Sequence, residues 1–234
     1  MRRSEKYVKP LKGNREMTVV GIVGNGPPAL CADLAKFTEH VDVWIGADRG
    51  AMTLVEQQMP VDFAVGDFDS VDDQQMSLIK QAAASYEGYP SEKDETDLEI
   101  ALLKAFDLQP HTIYLFGVTG GRLDHELVNI QLLYSVIHKG IRGIVADSSN
   151  LLEMTLPGSY QVESNPDFPL ISFIPYSREV SGLSLSGFKY PLVKEDISWG
   201  STLCISNELI SKYGTFSFDE GILLLVKSRD TIPF

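Results

Sequence analysis

The stretch TIYLFGVTGGRLDHELVNIQLLYSVIHKGIRGIVAD, residues 112–147, decides the fold. Thr112–Phe116 is an apolar run of strand length, followed by a glycine-rich loop from Gly117 to Arg122. Leu127, Ile130, Tyr134 and Ile137 then recur at helical spacing, which predicts a helix over Asp124–Lys139. Ile141–Ala146 is a second β-rich run. Strands alternating with helices in this way argue for a mostly parallel sheet.

Towards the N-terminus the alternation continues. Thr18–Val23, Val41–Gly46 and Phe63–Val65 read as strands, and Ala29–Thr38, Ala51–Gln58, Asp73–Ala84 and Thr96–Phe106 as helices. Residues 17–148 are therefore expected to form an α/β domain with helices on both faces of the sheet. Ligands of such domains bind beyond the C-terminal strand ends. Towards the C-terminus the pattern changes to short runs separated by Gly, Pro, Ser and Asn: Leu151–Leu156, Ser159–Val162, Leu170–Ile174, Leu183–Leu185, Thr202–Ser206, Gly214–Phe218 and Gly221–Val226. Phe218–Ile222 reads as a hairpin turn. Residues 149–234 are thus expected to be a smaller all-β sandwich or barrel, of a size at which one core is marginal alone.

Six basic residues against Glu5 and Glu16 give Met1–Glu16 a net charge of +4 within a chain of −12, leaving −16 for the rest. This leader reads as an extension outside the fold, without the aromatic or amphipathic pattern of a nucleic-acid or membrane tail. The acidic remainder argues against a polyanionic nucleic-acid partner, and no run is long enough to span a bilayer. Cys31 and Cys204 alone make a disulfide framework unlooked-for, and a reducing cytoplasm fits.

Four acidic or glycine-rich clusters fall at predicted strand ends or helix starts. Asp48 and Arg49 follow the second strand in Gly46–Ala51. Asp67 and Asp69 follow the third, in Gly66–Ser70; in an extended segment residues two apart share a side, so both can converge on one cation. Carboxylate oxygens suit Mg²⁺, although the pair could equally cap the next helix. Lys93–Asp97 opens a helix with Asp94 and Asp97 three apart, which by itself is a capping pattern. In Gly117–His125, Gly120 and Gly121 allow close backbone approach to phosphate, Arg122 offers a planar fork to phosphate oxygens, and Asp124 is placed as an N-cap. His125 reads as a supporting residue, and the scattered histidines point away from zinc.

The ordered set Ala-Asp-x-Gly-Ala, Gly-Asp-Phe-Asp-Ser, Lys-Asp-x-Thr-Asp and Gly-Gly-Arg-x-Asp-His, over Gly46–Asn129, resembles that of the thiamine pyrophosphokinases. Ser206-Asn207-Glu208 resembles that family's short Ser-Asn motif, and the β-rich end its second domain. The resemblance implies transfer of pyrophosphate from ATP to the hydroxyethyl group of thiamine, giving thiamine diphosphate and AMP. It implies Asp67, Asp69 and Asp97 as Mg²⁺ and catalytic carboxylates, and Asp48 as an aid at the nucleotide site. Arg122 and Asp124 would organise phosphate and substrate, and Ser206 and Asn207 would contact thiamine. It also implies a homodimer with thiamine held between the N-terminal domain of one subunit and the C-terminal domain of the other. Arg49 departs from relatives that carry glycine there; it stiffens the loop or itself touches phosphate. Trp199 reads as a core aromatic of the β-domain, with stacking on a cationic ring the sharper alternative.

Two other classes use the same clusters. A Mg²⁺-dependent phosphohydrolase or nucleotidyltransferase would need no thiamine site. An acidic ligand-binding or metal-sensing protein would bind the cation without ATP turnover.

Overall fold

Continuous runs of buried β-branched and aromatic residues build the sheet of the larger unit. The computed structural model describes a two-residue strand, Lys9–Pro10 (β1), then residues 18–90, 92 and 94–230. The chain divides into two units at Ser148/Ser149.

In the unit Glu16–Ser148, six strands run parallel: Val19–Val23 (β2), Val43–Ala47 (β3), Val61–Gly66 (β4), Ala83–Gly88 (β5), Thr112–Phe116 (β6) and Arg142–Ala146 (β7). Their order is β7-β6-β2-β3-β4-β5. Every residue of β6 is buried, as are the last four of β2, β3 and β7. Burial on both faces requires cover on both faces. It comes from Gly50–Glu56 (α1), Asp73–Ala82 (α2), Asp97–Asp107 (α3) and Leu123–His138 (α4). The chain steps from β2 out to β5 and then returns to β6, on the other side of β2. Right-handed crossovers therefore put α1 and α2 on one face and α3 and α4 on the other.

Two elements of this unit differ from the sequence expectation. The helix expected over Ala29–Thr38 is two 3₁₀ turns, Pro28–Leu30 and Leu34–Phe37. Cys31 between them is extended (φ −63°, ψ 145°) and forms a β-bridge with Asp147, and the Asp33 carboxylate accepts from the Ala35 amide to start the second turn. The helix from Asp73 stops at Ala82, and the alanine-rich Ala83–Gly88 becomes edge strand β5. Its alternating burial marks one wet face, and pairing with β4 makes it a strand.

The second unit contains Asn150–Thr155 (β8), Gly158–Glu163 (β9), Leu170–Pro175 (β10), Glu179–Ser186 (β11), Leu192–Ser198 (β12), Tyr213–Phe218 (β13) and Leu223–Ser228 (β14). They form two antiparallel sheets, β10-β14-β8 and β1-β9-β13-β11-β12. Ile171, Phe173, Leu223 and Leu225 of the first pack against Val162, Leu185, Phe216 and Phe218 of the second, which makes a sandwich. Apart from Lys9 and Pro10, which pair with Gln161 and Tyr160, the basic leader lies outside the described residues. Two local expectations are corrected, and one strand was not expected. Thr202–Ser206 is a series of turns, and β12, where only Ile197 is buried, carries no legible alternation. Phe218–Ile222 is not a hairpin turn either: β13 and β14 lie in different sheets, so the turn crosses the sandwich.

Candidate active site

The loops after β2, β3, β4 and β6 surround a cleft of about 520 Å³ in the α/β unit. It lies at the C-terminal ends of β2 and its two neighbours, where the strand order reverses, the position at which open parallel sheets hold ligands.

One wall is acidic. Asp48, Asp67 and Asp69 each offer a carboxylate oxygen within 4.8 Å of the others. Asp48, 7% exposed, sits in the left-handed backbone region (φ 50°) directly after β3. Its Oδ2 accepts a 2.5 Å hydrogen bond from the Ser70 hydroxyl, and its Oδ1 is buried with no hydrogen-bond partner among the described residues. Burial pushes the Asp48 carboxyl above the usual carboxylate range; the bonds from Ser70 and the Arg49 backbone oppose this, and the charges of Asp97 and Asp67 reinforce it. Such a group calls for a cation.

Asp67 and Asp69 converge, but an extended segment is not the cause. Phe68 between them is left-handed (φ 58°), buried, and stacked on Tyr86 with ring centroids 5.0 Å apart. The resulting turn lets the Asp69 amide donate to Asp67 Oδ1 at 3.2 Å. The Asp67 amide donates to Asp97 Oδ1 at 3.3 Å, so the first residue of α3 is tied to the same loop. Asp97 thus lines the cleft beside the trio rather than within it. None of the aspartates read as caps fills that role: Asp72 caps α2 in a capping box with Gln75, and Thr96 caps α3 by accepting from the Glu99 amide. Asp94 lies ahead of that cap, and Lys93 is outside the described residues.

The opposite wall is the glycine-rich loop. Gly120 is left-handed (φ 79°), a conformation that favours glycine. Arg122 occupies the N-cap position of α4 without capping it, so Asp124 is not the cap but the second residue of the helix. Both side chains are exposed and joined, Nε to Oδ1 at 3.2 Å and Nη2 to Oδ2 at 2.5 Å. The guanidinium hydrogen bond holds the Asp124 carboxyl below its ordinary range. Arg122, Gly121 and His125 line the cleft, whereas Arg49 faces a smaller adjoining one of about 330 Å³ with Met52, Thr53 and Glu56.

Sequence reasoning missed Gly24-Asn25-Gly26, which lines the cleft directly after β2. The Gly26 amide donates to the Gly117 carbonyl at 2.6 Å, and a methyl at Gly26 would stand 2.6 Å from that oxygen. A Gly-x-Gly immediately following the first strand was the available signal.

In the β-sandwich, Asn207 is 2% exposed, and its amide spans the Tyr190 backbone, donating to the carbonyl at 2.8 Å and accepting from the amide at 3.1 Å. Ser206 is left-handed (φ 56°) and its amide donates to Ser172 Oγ. Trp199 is not a core residue: it is 68% exposed, anchored by its indole N–H on the Tyr176 carbonyl at 3.0 Å.

Family models agree with both halves of the chain. Residues 34–145 match the thiamin pyrophosphokinase catalytic domain, and residues 159–223 the thiamin pyrophosphokinase vitamin B1 binding domain. The chain is 46% identical over 215 residues to the thiamine pyrophosphokinase of Bacillus subtilis, covering 92% of this chain and all of that one. The crystal structure of a Bacillus subtilis thiamine pyrophosphokinase superposes with a TM-score of 0.86, covering 91% of this chain and 100% of that chain. That of Geobacillus thermodenitrificans does so at 0.82, with 45% identity over 92% of this chain and 99% of that one.

Proposed function

The chain belongs to the thiamin pyrophosphokinase family, and we propose that it transfers the pyrophosphoryl group of ATP to the hydroxyethyl oxygen of thiamine. A bond forms between that oxygen and the β-phosphorus, the bond from the β-phosphorus to the oxygen bridging it to the α-phosphorus breaks, and AMP leaves with that oxygen. The hydroxyl proton passes to solvent or to a cleft carboxylate.

The observation that carries this reading is the trio of Asp48, Asp67 and Asp69 facing a glycine-rich loop across one cleft. The trio fits a divalent cation: the oxygens are hard donors, they converge, and Asp48 Oδ1 is buried without a partner among the described residues. Bound Mg²⁺ would supply neutralisation of triphosphate charge and stabilisation of charge on the leaving oxygen. The Asp97 carboxylate holds the Asp67 loop by accepting from the Asp67 amide and lines the same wall. Gly121 lines the cleft and admits the phosphates, whereas Gly120 turns the loop beside it without lining it, and Arg122, aligned by Asp124, offers a bidentate fork to them. Positioning and electrostatics carry most of the rate in such transfers, because a primary alcohol needs little proton removal before a loose transition state.

The thiamine side of the site is assigned to the β-sandwich, through Ser206 and the region Asn207 supports. Exposed Trp199 is a candidate to stack on the thiazolium or aminopyrimidine ring. A homodimer with shared sites is part of the same reading, supported by exposed Val193, Trp199, Leu203 and Ile210 on the sandwich. Two free cysteines, one buried with its thiol pushed up to about 11, suit a reducing cytoplasm. The test is a product assay with ATP, Mg²⁺ and thiamine. AMP and thiamine diphosphate must appear in equal amounts; ADP with accumulating thiamine monophosphate would overturn the assignment.

A further inference from the structure

Four successive residues of the glycine-rich loop are each tied to another element. The Gly117 carbonyl accepts from the Gly26 amide at 2.6 Å. The Val118 carbonyl accepts from Asn129 Nδ2 at 2.9 Å. The Thr119 hydroxyl donates to Asp147 Oδ2 at 2.9 Å, and the Gly120 amide donates to Glu126 Oε2 at 2.9 Å. Glu126 and Asn129 stand on the first two turns of α4, and Asp147 follows β7 directly. These are rigid anchors. Among the described residues, Gly121, the next residue, is held by no side chain, and the Arg122 side chain is held only by Asp124 beside it, while the Arg122 carbonyl accepts from the Glu126 amide at 3.0 Å.

We infer that Glu126, Asn129 and Asp147 are positioning residues for nucleotide binding: they fix residues 118–120 before the triphosphate arrives and leave only Gly121 and Arg122, of the loop residues that line the cleft, to be ordered by it. This rests on the reading of the cleft as the ATP site. Glycines are the residues that lose most freedom on ordering. A loop containing Gly117, Gly120 and Gly121 would otherwise be ordered at the expense of binding. Three side-chain ties do that ordering during folding. Glu126 acts through its acceptor oxygen here, and a neutral acceptor of the same shape would serve as well.

The test is steady-state kinetics with ATP varied at saturating thiamine and Mg²⁺. Glu126→Ala is expected to raise the ATP KM about fivefold, the usual scale of one lost tie, with kcat and the thiamine KM near wild-type. Glu126→Gln keeps an acceptor oxygen and is expected to restore the ATP KM. Thr119→Val, which removes the donor to Asp147 at nearly constant volume, repeats the rise. An unchanged ATP KM in both Glu126→Ala and Thr119→Val overturns the assignment, as does Glu126→Gln as impaired as Glu126→Ala. Parallel losses in kcat and both KM values, with a lowered melting temperature, also overturn it, because they mark general structural damage. Calorimetric titration of the same variants with a non-hydrolysable ATP analogue and Mg²⁺ reads the loop directly. A wild-type chain that bound the analogue but made no thiamine diphosphate would sink the reaction and leave this inference to be judged by those dissociation constants.

Discussion

Asp48 Oδ2 accepts a 2.5 Å hydrogen bond from Ser70, while Oδ1 of the same carboxylate is buried without a partner among the described residues. Half of an anionic group is thus satisfied and half is not. A buried unpaired oxygen opposes folding unless something outside the chain meets it. The strain of a left-handed Asp48 adds to this, as expected where function outweighs local stability.

The first prediction follows in sign from that carboxyl. Its folded-state pKa is raised, chiefly by burial, so the native state holds the proton more tightly than the unfolded chain. Stability without metal should therefore fall as pH rises from the ordinary carboxylate range through the raised value. Asp48→Asn should lose that slope and melt higher than wild-type above the window, while turning over more slowly. Added Mg²⁺ should raise the melting temperature of wild-type and not of the variant. Melting curves across pH, with and without Mg²⁺, check this; identical slopes in the two proteins would count against it.

Asp67 and Asp69 are presented by a turn pinned through buried Phe68. Asp67→Asn or Asp69→Asn should leave that turn intact, since the Phe68–Tyr86 stack and the backbone bonds remain. Turnover should nevertheless fall by at least about a hundredfold, roughly 2.7 kcal/mol of transition-state stabilisation. Circular dichroism and steady-state rates on the same samples decide it: folded variants with near-wild-type rates would remove both residues from the metal site.

Gly121 has an ordinary backbone, and an added methyl would meet only Pro27 Cδ at 3.8 Å. Gly121→Ala should therefore change unfolding free energy by no more than about 0.5 kcal/mol. Gly121 lines the cleft, so the added methyl should raise the ATP KM clearly. Denaturant melts and initial rates separate the two effects. A loss of stability would mean that the glycine serves folding, not the approach of phosphate.

How much of this was legible beforehand depends on whether neighbours or distant contacts decide a residue's state. β2, β6 and β7 were legible because strands buried on both faces are continuous apolar runs. The acidic clusters were legible as residue types at strand ends. Their grouping was not: Asp48 joins Asp67 and Asp69 because it turns left-handed after β3, and Asp97 is drawn in by the Asp67 amide. Asp94 and Asp124 look like caps by spacing, yet Thr96 and Arg122 occupy those positions. β12 was invisible because Lys194, Glu195 and Asp196 face solvent, and its strand character comes from pairing with β11. Trp199 misled for the opposite reason. Its hydrophobicity suggests a core position, whereas its side chain is exposed and anchored through the indole N–H.

That exposed indole supports the last prediction, which concerns shared sites. Trp199→Ala should leave stability nearly unchanged, because surface substitutions away from packed features stay within about 0.5 kcal/mol. If Trp199 stacks on the cationic ring, the thiamine KM should rise by an amount reflecting about 0.5–2 kcal/mol, and the ATP KM should stay put. Subunits carrying Asp69→Asn have a defective α/β unit, and those carrying Trp199→Ala a defective sandwich. In a homodimer whose sites combine the α/β unit of one subunit with the sandwich of its partner, a mixed dimer has one site with both lesions and one with neither. At low thiamine, mixing the two variants should then give more activity than the sum of the separate preparations. Two differently tagged variants, exchanged under mild denaturant and purified as the mixed species, make the measurement direct. Mixed dimers no more active than that sum would place both halves of each site in one subunit.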